Sequence, residues 1–185
     1  MTSTNILILA LSCMVVGALI GFLAFWIYRN NRSRHLRKAF GPEYSRLAEE
    51  RGEVAAEREL SAREGRVTKF HIQPLSAEQK SQFVSRWQHV QGEFVDDPKT
   101  SLSHADDLLG EAMAVRGYPV QDFEQRAADL SVEHPAVVQH YHEAHSIALR
   151  HREGRTTTED LRQAMLHYRA LFDELVSPRH ATAAE

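Results

Sequence analysis

The stretch that decides the fold is TTTEDLRQAMLHYRALFDELV, residues 156–176. Threonine and acidic residues at its start are typical of a helix N-terminus, because their side-chain oxygens accept hydrogen bonds from the free amides of the first turn. Large apolar residues then recur every three or four positions, at Leu161, Met165, Tyr168, Phe172 and Leu175. That spacing places them on one face of a helix. We therefore predict a capped amphipathic helix that packs against other helices.

Four more helices are predicted upstream, from start and stop signals in the sequence. Ser76 and Gln79 have the spacing of a capping box, in which the side chain of each residue accepts a hydrogen bond from the backbone amide of the other. Asp97 followed by Pro98 starts the next helix, and Gly117 ends it. The predicted bounds are about 76–95, 97–117, 121–130 and 134–152. Together with the last helix they predict a compact all-α bundle of about five helices, over residues 76–176.

Residues 43–67 precede this bundle and are dominated by charged helix formers with a thin apolar stripe. A helix this polar is either a solvated stalk or one seam of a weak coiled coil. We predict a charged stalk helix that is partly packed on the domain, after a break at Phe40-Gly41-Pro42. The weak alternation in residues 67–74 predicts an extended connector, since one short strand has no partner.

A run of 23 uncharged, mostly apolar residues occupies positions 6–28. At about 1.5 Å per residue, a helix of that length crosses a hydrocarbon core of about 30 Å. The run is too long for a cleaved signal peptide, and the leader before it lacks positive charge. We therefore predict a retained, single-pass transmembrane helix behind a short extracytoplasmic segment, residues 1–5.

The charge pattern after the run predicts its orientation. Five fixed positive charges lie within residues 29–38, and no acid occurs before Glu43. Basic residues beside a span stay on the cytoplasmic side, and Trp26 and Tyr28 suit an aromatic anchor at the interface. The prediction is an N-terminus outside, a basic juxtamembrane linker at 29–42, and a cytoplasmic C-terminal domain. Residues 177–185 are expected to be a disordered tail.

Small residues lie along one side of the predicted span. Gly17 and Gly21 form a GxxxG pattern, and Cys13 lies one turn earlier. Such a face lets two helices approach closely, which predicts a transmembrane homodimer. The alternative interpretation is that glycine is simply common in membrane helices.

Composition excludes several classes of function. All 25 acidic residues follow the basic cluster, so the soluble part is acidic although the net charge of the chain is only −3. Nucleic acid is therefore not an expected partner. Cys13 is the only cysteine, which excludes an intrachain disulfide and a thiolate metal site. Serine nucleophile elbows, phosphate-binding glycine loops and dinucleotide fingerprints are absent, so we predict no cofactor and no catalytic residue.

Histidines are frequent between positions 140 and 151, and His167 follows on the last helix. Histidine and carboxylate bind zinc or iron only where their side chains converge. At about 100° per residue, His140 and His142 point to opposite sides of their helix, and His167 points away from the inner face of its own. Only His145 falls near the middle of the apolar face. We predict a buried, hydrogen-bonded His145 and no metal site; the alternative is a small metal- or ligand-binding enzyme that uses His145.

Another candidate site lies in residues 116–130. Tyr118 and Phe123 could bracket a groove for a partner, with Arg126 beside them on the helix. The alternative is a corner between two helices, at which glycine and proline set the turn and the aromatic rings fill the core.

Several segments resemble a family of bacterial single-pass membrane proteins. They are FGPEY (40–44), FVDDP (94–98), DFEQRAADLS (122–131), TEDLRQAM (158–165) and HYRALFDEL (167–175). Members are usually described only as hypothetical membrane or secreted proteins. The resemblance covers nearly everything after residue 39; it implies a bacterial source and carries no activity, cofactor or catalytic residue.

These observations favour a non-enzymatic, membrane-anchored interaction or scaffold protein. The predicted location is the bacterial inner membrane, with the helical domain in the cytoplasm. Its expected partners are the lipid bilayer, an unidentified protein and a second copy of the chain. A membrane-bound stress-response sensor, whose stalk relays dimer geometry, is a further alternative.

Overall fold

The computed structural model describes the backbone of residues 3–119 and 121–177, with side chains at residue 14, residues 16–119 and residues 121–177. This part of the chain contains eight α-helices and no strand, so the predicted all-α fold class is confirmed. The helices are α1 (Ser3–Phe40), α2 (Pro42–Arg51), α3 (Glu53–Val67), α4 (Ala77–Glu93), α5 (Pro98–Arg116), α6 (Phe123–Glu133), α7 (Pro135–Arg152) and α8 (Thr158–Val176). The predicted terminal segments 1–5 and 177–185 fall partly outside the described residues.

The chain divides into two compact units, Met1–Ala39 and Phe40–Glu185. The first unit is essentially α1, which continues through most of the predicted linker 29–42. The predicted linker is thus helical as far as Phe40, because the segment contains no glycine or proline before Gly41. In the part of the chain whose side chains are described, no helix combines the length and the apolar character needed to cross a membrane. The side chains of residues 6–13 and 15, within the predicted span, lie outside that part.

The predicted stalk, residues 43–67, is two helices that pack on each other. Gly52 separates α2 from α3 with φ 82° and ψ 153°, a backbone conformation that glycine adopts far more readily than other residues. This α2–α3 hairpin packs on α6 and α7, and Leu47 and Leu60 are buried. The predicted single stalk helix is therefore two helices, and they pack on the domain more fully than the partial packing that was predicted. The domain begins near Phe40, not at residue 76.

Helices α4, α5, α7 and α8 surround the main hydrophobic core. The residues predicted for the inner face of α8 are all buried. Trp87 of α4 stacks on Phe172, with the ring centroids 4.6 Å apart. Such a pair contributes about 0.5–1.5 kcal/mol beyond the burial of its area. The predicted five-helix bundle is thus present, with the α2–α3 hairpin added to it.

Hydrogen bonds confirm the predicted helix starts. Ser76 Oγ accepts from the amide of Gln79, and the Gln79 side chain accepts from the amide of Ser76. Thr157 and Asp160 exchange the same pair of bonds at the start of α8. Asp97 caps α5, as predicted, by accepting from the third amide after it. These local bonds explain why the ends of the helices could be predicted.

The short helix α6 spans Phe123–Glu133, not 121–130. Asp122 caps its first turn by accepting a hydrogen bond from the amide of Gln125, which moves the start of the helix two residues along. Pro135 then starts α7, whose bounds agree with the prediction.

The connector between α3 and α4 begins with turns at residues 68–70 and contains no strand, and its later part contacts the end of α5. The Gln73 amide donates a 2.8 Å hydrogen bond to the Arg116 carbonyl. Gly117, which ends α5 at φ 101°, lies so close to the connector that an added Cβ would clash with the carbonyl oxygen of His71. Only glycine fits this position without moving the connector.

Candidate functional site

A cleft of about 760 Å³ opens between α2 and α7 in the second unit. Its walls combine apolar surface with charges of both signs. The lining residues are Pro42, Glu43, Ser45, Arg46 and Glu49 of α2, Gln139, His142, Glu143, Ser146, Ile147 and Arg150 of α7, and His167 of α8. A concave surface of this size with convergent polar groups is the usual form of a binding site. The α2–α7 cleft is therefore the candidate functional site.

One wall of the α2–α7 cleft is held by a buried carboxylate, Glu43. Its Oε1 accepts 2.8 Å hydrogen bonds from both Arg46 and Arg63, and its Oε2 accepts another from Arg46. Arg63 also donates to Ser131, so the network joins α2, α3 and α6. Burial raises the pKa of Glu43, but the hydrogen bonds and charges of the two arginines outweigh it and lower the pKa below its ordinary value. Glu43 is therefore ionised at neutral pH, and the network fixes the position of α2.

His142 faces this network from α7. Its Nε2 lies 4.0 Å from Oε2 of Glu43 and, among the described residues, has no hydrogen-bond partner. Burial lowers the pKa of His142, and the positive charge of Arg46 lowers it further. His142 and the buried carboxylate of Glu43 therefore line the cleft together, and the imidazole is neutral.

Three more polar groups converge at the margin of the cleft. His140 and Glu143 lie one turn apart on α7, and His167 reaches them from α8. The distance from His140 Nδ1 to His167 Nδ1 is 3.0 Å, and the distance from His167 Nε2 to Glu143 Oε2 is 3.2 Å. His140 Nδ1 lies 3.8 Å from Glu143 Oε2. We call these residues the His–Glu–His cluster; Glu143 and His167 also line the α2–α7 cleft.

The prediction that the histidines do not converge was wrong for this cluster. His167 does point away from the inner face of α8. However, α7 and α8 pack side by side, and residues that flank their apolar faces meet along the edge of the helix pair. A signal was present in the sequence, because His140 and Glu143 have the i,i+3 spacing that places two ligands on one side of a helix.

His145 was predicted to be buried and hydrogen-bonded, but it is only half-buried. Its ring stacks on Phe123, with centroids 3.5 Å apart and ring planes within 6°. Burial lowers its pKa. His145 therefore contributes to packing between α6 and α7, and it lies outside the His–Glu–His cluster.

The residues predicted to form a partner groove occupy different environments. Tyr118 is 3% exposed, and its hydroxyl donates to Glu133. Phe123 packs against aromatic rings of α7. Arg126 is mostly buried and donates to Asp106 at 3.1 Å. Tyr118 is a core residue, so the groove prediction was wrong for it, and the alternative of a corner filled by aromatic rings describes it better.

A second buried network lies at the start of α7. Nδ1 of His134 is 3.1 Å from Oε1 of Glu174, and Nε2 is 3.2 Å from Nη1 of Arg116. Glu133 lies 3.9 Å from the same Nε2. Burial lowers the pKa of His134 and Arg116 lowers it further, against the opposing effect of the two carboxylates. This geometry suits a neutral ring that donates from Nδ1 to Glu174 and accepts at Nε2 from Arg116.

The residues predicted for the transmembrane dimer belong to the first unit. Among the described residues, a Cβ added at Gly17 or at Gly21 would meet no atom within 4 Å. The side chain of Cys13 lies outside the described residues. The dimer face stays a prediction.

Comparison of the chain with protein-family models, with curated proteins and with solved structures finds no match. Function is therefore inferred from the residues of the chain themselves.

Proposed function

We propose that this chain is a single-pass protein of the bacterial inner membrane whose helical domain lies in the cytoplasm and binds a protein partner. It acts as an interaction or scaffold module and not as an enzyme. The observation that carries the proposal is the uncharged run at 6–28, followed directly by five fixed positive charges at 29–38. The run needs an apolar environment, and the charges keep the domain behind it on the cytoplasmic side.

The side chains of α1 support the membrane anchor. Large apolar residues are exposed along it: Met14, Val16, Leu19, Ile20, Phe22, Leu23, Phe25, Trp26, Ile27 and Tyr28. The last four are consecutive, so apolar surface faces every direction around the helix. Leaving such surface in water costs roughly 25 cal/mol per Å², whereas a helix that is apolar all round is typical of a membrane span.

Reporter fusions test the anchor and its orientation. The full-length chain carrying a C-terminal fluorescent protein should fluoresce in cells and resist alkaline extraction from membranes. The same chain with C-terminal alkaline phosphatase should be inactive. As a control, replacing the five basic residues of 29–38 by asparagine should weaken the orientation and raise phosphatase activity. An active phosphatase on the unaltered chain would refute the orientation, and release by alkali would refute the anchor.

We assign the protein partner to the α2–α7 cleft, because its walls present charges of both signs and apolar surface within one concave site. Ser45 on α2 and Ser146 on α7 are exposed on its two walls. A photo-crosslinking residue at either position should capture the same protein in cells. Gln88 on α4, exposed and outside the cleft, is the matched control. Capture from Gln88 alone, or equally from all three positions, would refute the assignment.

A second copy of the chain is a further partner that we propose, through the small-residue face at Cys13, Gly17 and Gly21. The alternative of a sensor with a relaying stalk is less favoured, since residues 43–67 fold into the α2–α3 hairpin. An enzyme built on His145 is also less favoured, because that ring stacks on Phe123.

A further inference from the structure

The His–Glu–His cluster has the donor geometry of a metal site. One donor atom from each of His140, Glu143 and His167 lies within 4.8 Å of the other two. Donors bound at about 2.1 Å to a tetrahedral zinc ion are about 3.4 Å apart. In the cluster, His140 Nδ1 lies 3.8 Å from Glu143 Oε2. His167 approaches Glu143 with Nε2, at 3.2 Å, and His140 with Nδ1, at 3.0 Å, and one ion can take only one of these two nitrogens. The three donors must therefore draw together from separations of up to 4.8 Å to bind one ion.

The helices that carry these donors are fixed by the core. Tyr141 and Ala144 of α7 follow directly after two of the donors, and Tyr168 of α8 follows the third. All three are buried with at most 1% of their surface exposed. The backbone positions of the donors are therefore set before any ion binds, which reduces the entropic cost of binding.

The donor types suit metal binding. A neutral imidazole has a lone pair available to a metal, whereas an imidazolium has none. Glu143 supplies a negative charge that offsets part of the charge of the ion.

The cluster is also accessible to ions. The side chains of His140 and Glu143 are 42% and 45% exposed, and that of His167 is 23% exposed. An ion can therefore enter from solvent without opening the bundle.

The donor set selects a class of ion. Two imidazoles and one carboxylate suit zinc, iron(II) and their neighbours, whereas magnesium and calcium prefer sites made of oxygen ligands. Three protein donors also leave at least one coordination position open.

We propose that His140, Glu143 and His167 bind a divalent transition-metal ion, with zinc as the representative ion, and that the open position faces the α2–α7 cleft. The bound ion would give the cleft an electrophilic centre able to bind a carboxylate or imidazole of a partner. Metal binding at this site goes beyond the proposed anchoring and scaffold function and does not depend on either; only the role of the ion toward a partner rests on the proposed function.

Zinc titration tests the site on the full-length, untagged chain in detergent micelles, after treatment with a chelator. Competition against a chromophoric zinc chelator measures the affinity. We expect one zinc ion per chain. His140→Ala, Glu143→Ala and His167→Ala should each weaken binding about 100-fold or more, because removal of outer-shell partners alone weakens metal sites by about 10–100-fold.

His104→Ala is the matched control. His104 lies 2.7 Å from Glu93 and forms a histidine–carboxylate pair, but this pair is not part of any three-donor group among the described residues. The control should bind zinc like the unaltered chain. Cobalt(II) provides a second measurement, since visible absorption of a four-coordinate ion should appear in the unaltered chain and in His104→Ala only. All variants should retain the same far-ultraviolet circular dichroism.

Two results would overturn the proposal. One is zinc affinity in the unaltered chain no higher than in the double variant His140→Ala/His167→Ala. The other is an equal loss of affinity in His104→Ala, which would mean that scattered surface histidines bind the metal. Neither result bears on the topology reporters, so the membrane proposal is tested separately.

Discussion

Replacing Arg63 by methionine removes one partner of a buried ion pair while keeping most of the side-chain volume. The Arg63 and Glu43 side chains are 8% and 3% exposed, and their charged atoms are 2.8 Å apart. Breaking a buried pair from one side costs about 3–5 kcal/mol, because the other charge stays buried. Arg46 still donates two hydrogen bonds to Glu43, which places the expected loss near the lower end, at about 3 kcal/mol. For a unit of this size, 1 kcal/mol shifts the Tm by about 4 °C, so we expect a fall of about 12 °C.

Thermal unfolding of the full-length chain in mild detergent, followed by circular dichroism, measures this loss. Arg86→Met is the matched control. Arg86 also makes a two-bond ion pair, with Glu111, but the two side chains are 51% and 52% exposed. Exposed pairs are worth about 0.2–1 kcal/mol, so the control should lose less than about 4 °C.

The double variant Glu43→Gln/Arg63→Met tests whether the loss comes from the pair itself. It should be less destabilised than the sum of the two single variants by at least about 1 kcal/mol, because neither charge is then left alone. A loss for Arg63→Met no larger than for Arg86→Met, or strict additivity in the double variant, would refute the idea that this pair holds the α2–α3 hairpin in place.

Three other predictions address the turn, the pH dependence and the span. Gly117→Ala should lower the free energy of unfolding by about 3 kcal/mol, because of its positive φ and its clash with the His71 carbonyl. Gly154→Ala is the control: it also has a positive φ, of 70°, but its added Cβ meets no described atom within 4 Å, so it should lower the free energy by only about 1 kcal/mol. Equal losses for the two variants, measured by denaturant unfolding, would contradict the close approach of Gly117 to the connector. His134 has a folded pKa below its ordinary value of about 6.5, so the unfolded state binds more protons and stability falls as the pH falls below that value. His134→Gln should therefore reduce the slope of the unfolding free energy between pH 7 and pH 5 by at most about 1.4 kcal/mol per pH unit, and an unchanged slope would exclude this role. Gly21→Leu should abolish a crosslinked dimer of the full-length chain in membranes without releasing the chain from them, and a persistent dimer would exclude the small-residue face.

The helices of the bundle could be predicted because their signals are local. Ser76 with Gln79, and Asp97 before Pro98, start helices through bonds within one turn, and the structure contains those bonds. The inner face of α8 could be predicted because its apolar residues follow the helical period. No knowledge of the other helices was needed for either inference.

The α2–α3 hairpin could not be predicted in the same way. Its attachment depends on Glu43 and Arg63, which are buried although charged residues usually mark a solvated face. Their burial is possible because each is satisfied by hydrogen bonds and charge, in part from the other, and the two residues lie 20 positions apart in the sequence. Gly52 gave a weak signal, since a glycine within a run of good helix formers is compatible with one continuous helix at a cost of about 1 kcal/mol.

The polar side of α7 contacts two separate groups, the Glu43 network and the His–Glu–His cluster, which could not be predicted from the sequence and which can be tested separately. Polar residues on this side are typical of a solvated face, but α2 covers part of it. His142 therefore faces the Glu43 network, while the adjacent Glu143 faces His167. The network depends on the α2–α3 hairpin, whereas the His–Glu–His cluster depends only on the pairing of α7 with α8. Arg63→Met should therefore weaken partner capture from Ser45 in cells, yet leave the zinc affinity of the purified full-length protein unchanged below its Tm. Equal loss of both properties would mean that the hairpin also holds the metal donors, which would contradict a cluster fixed by α7 and α8 alone.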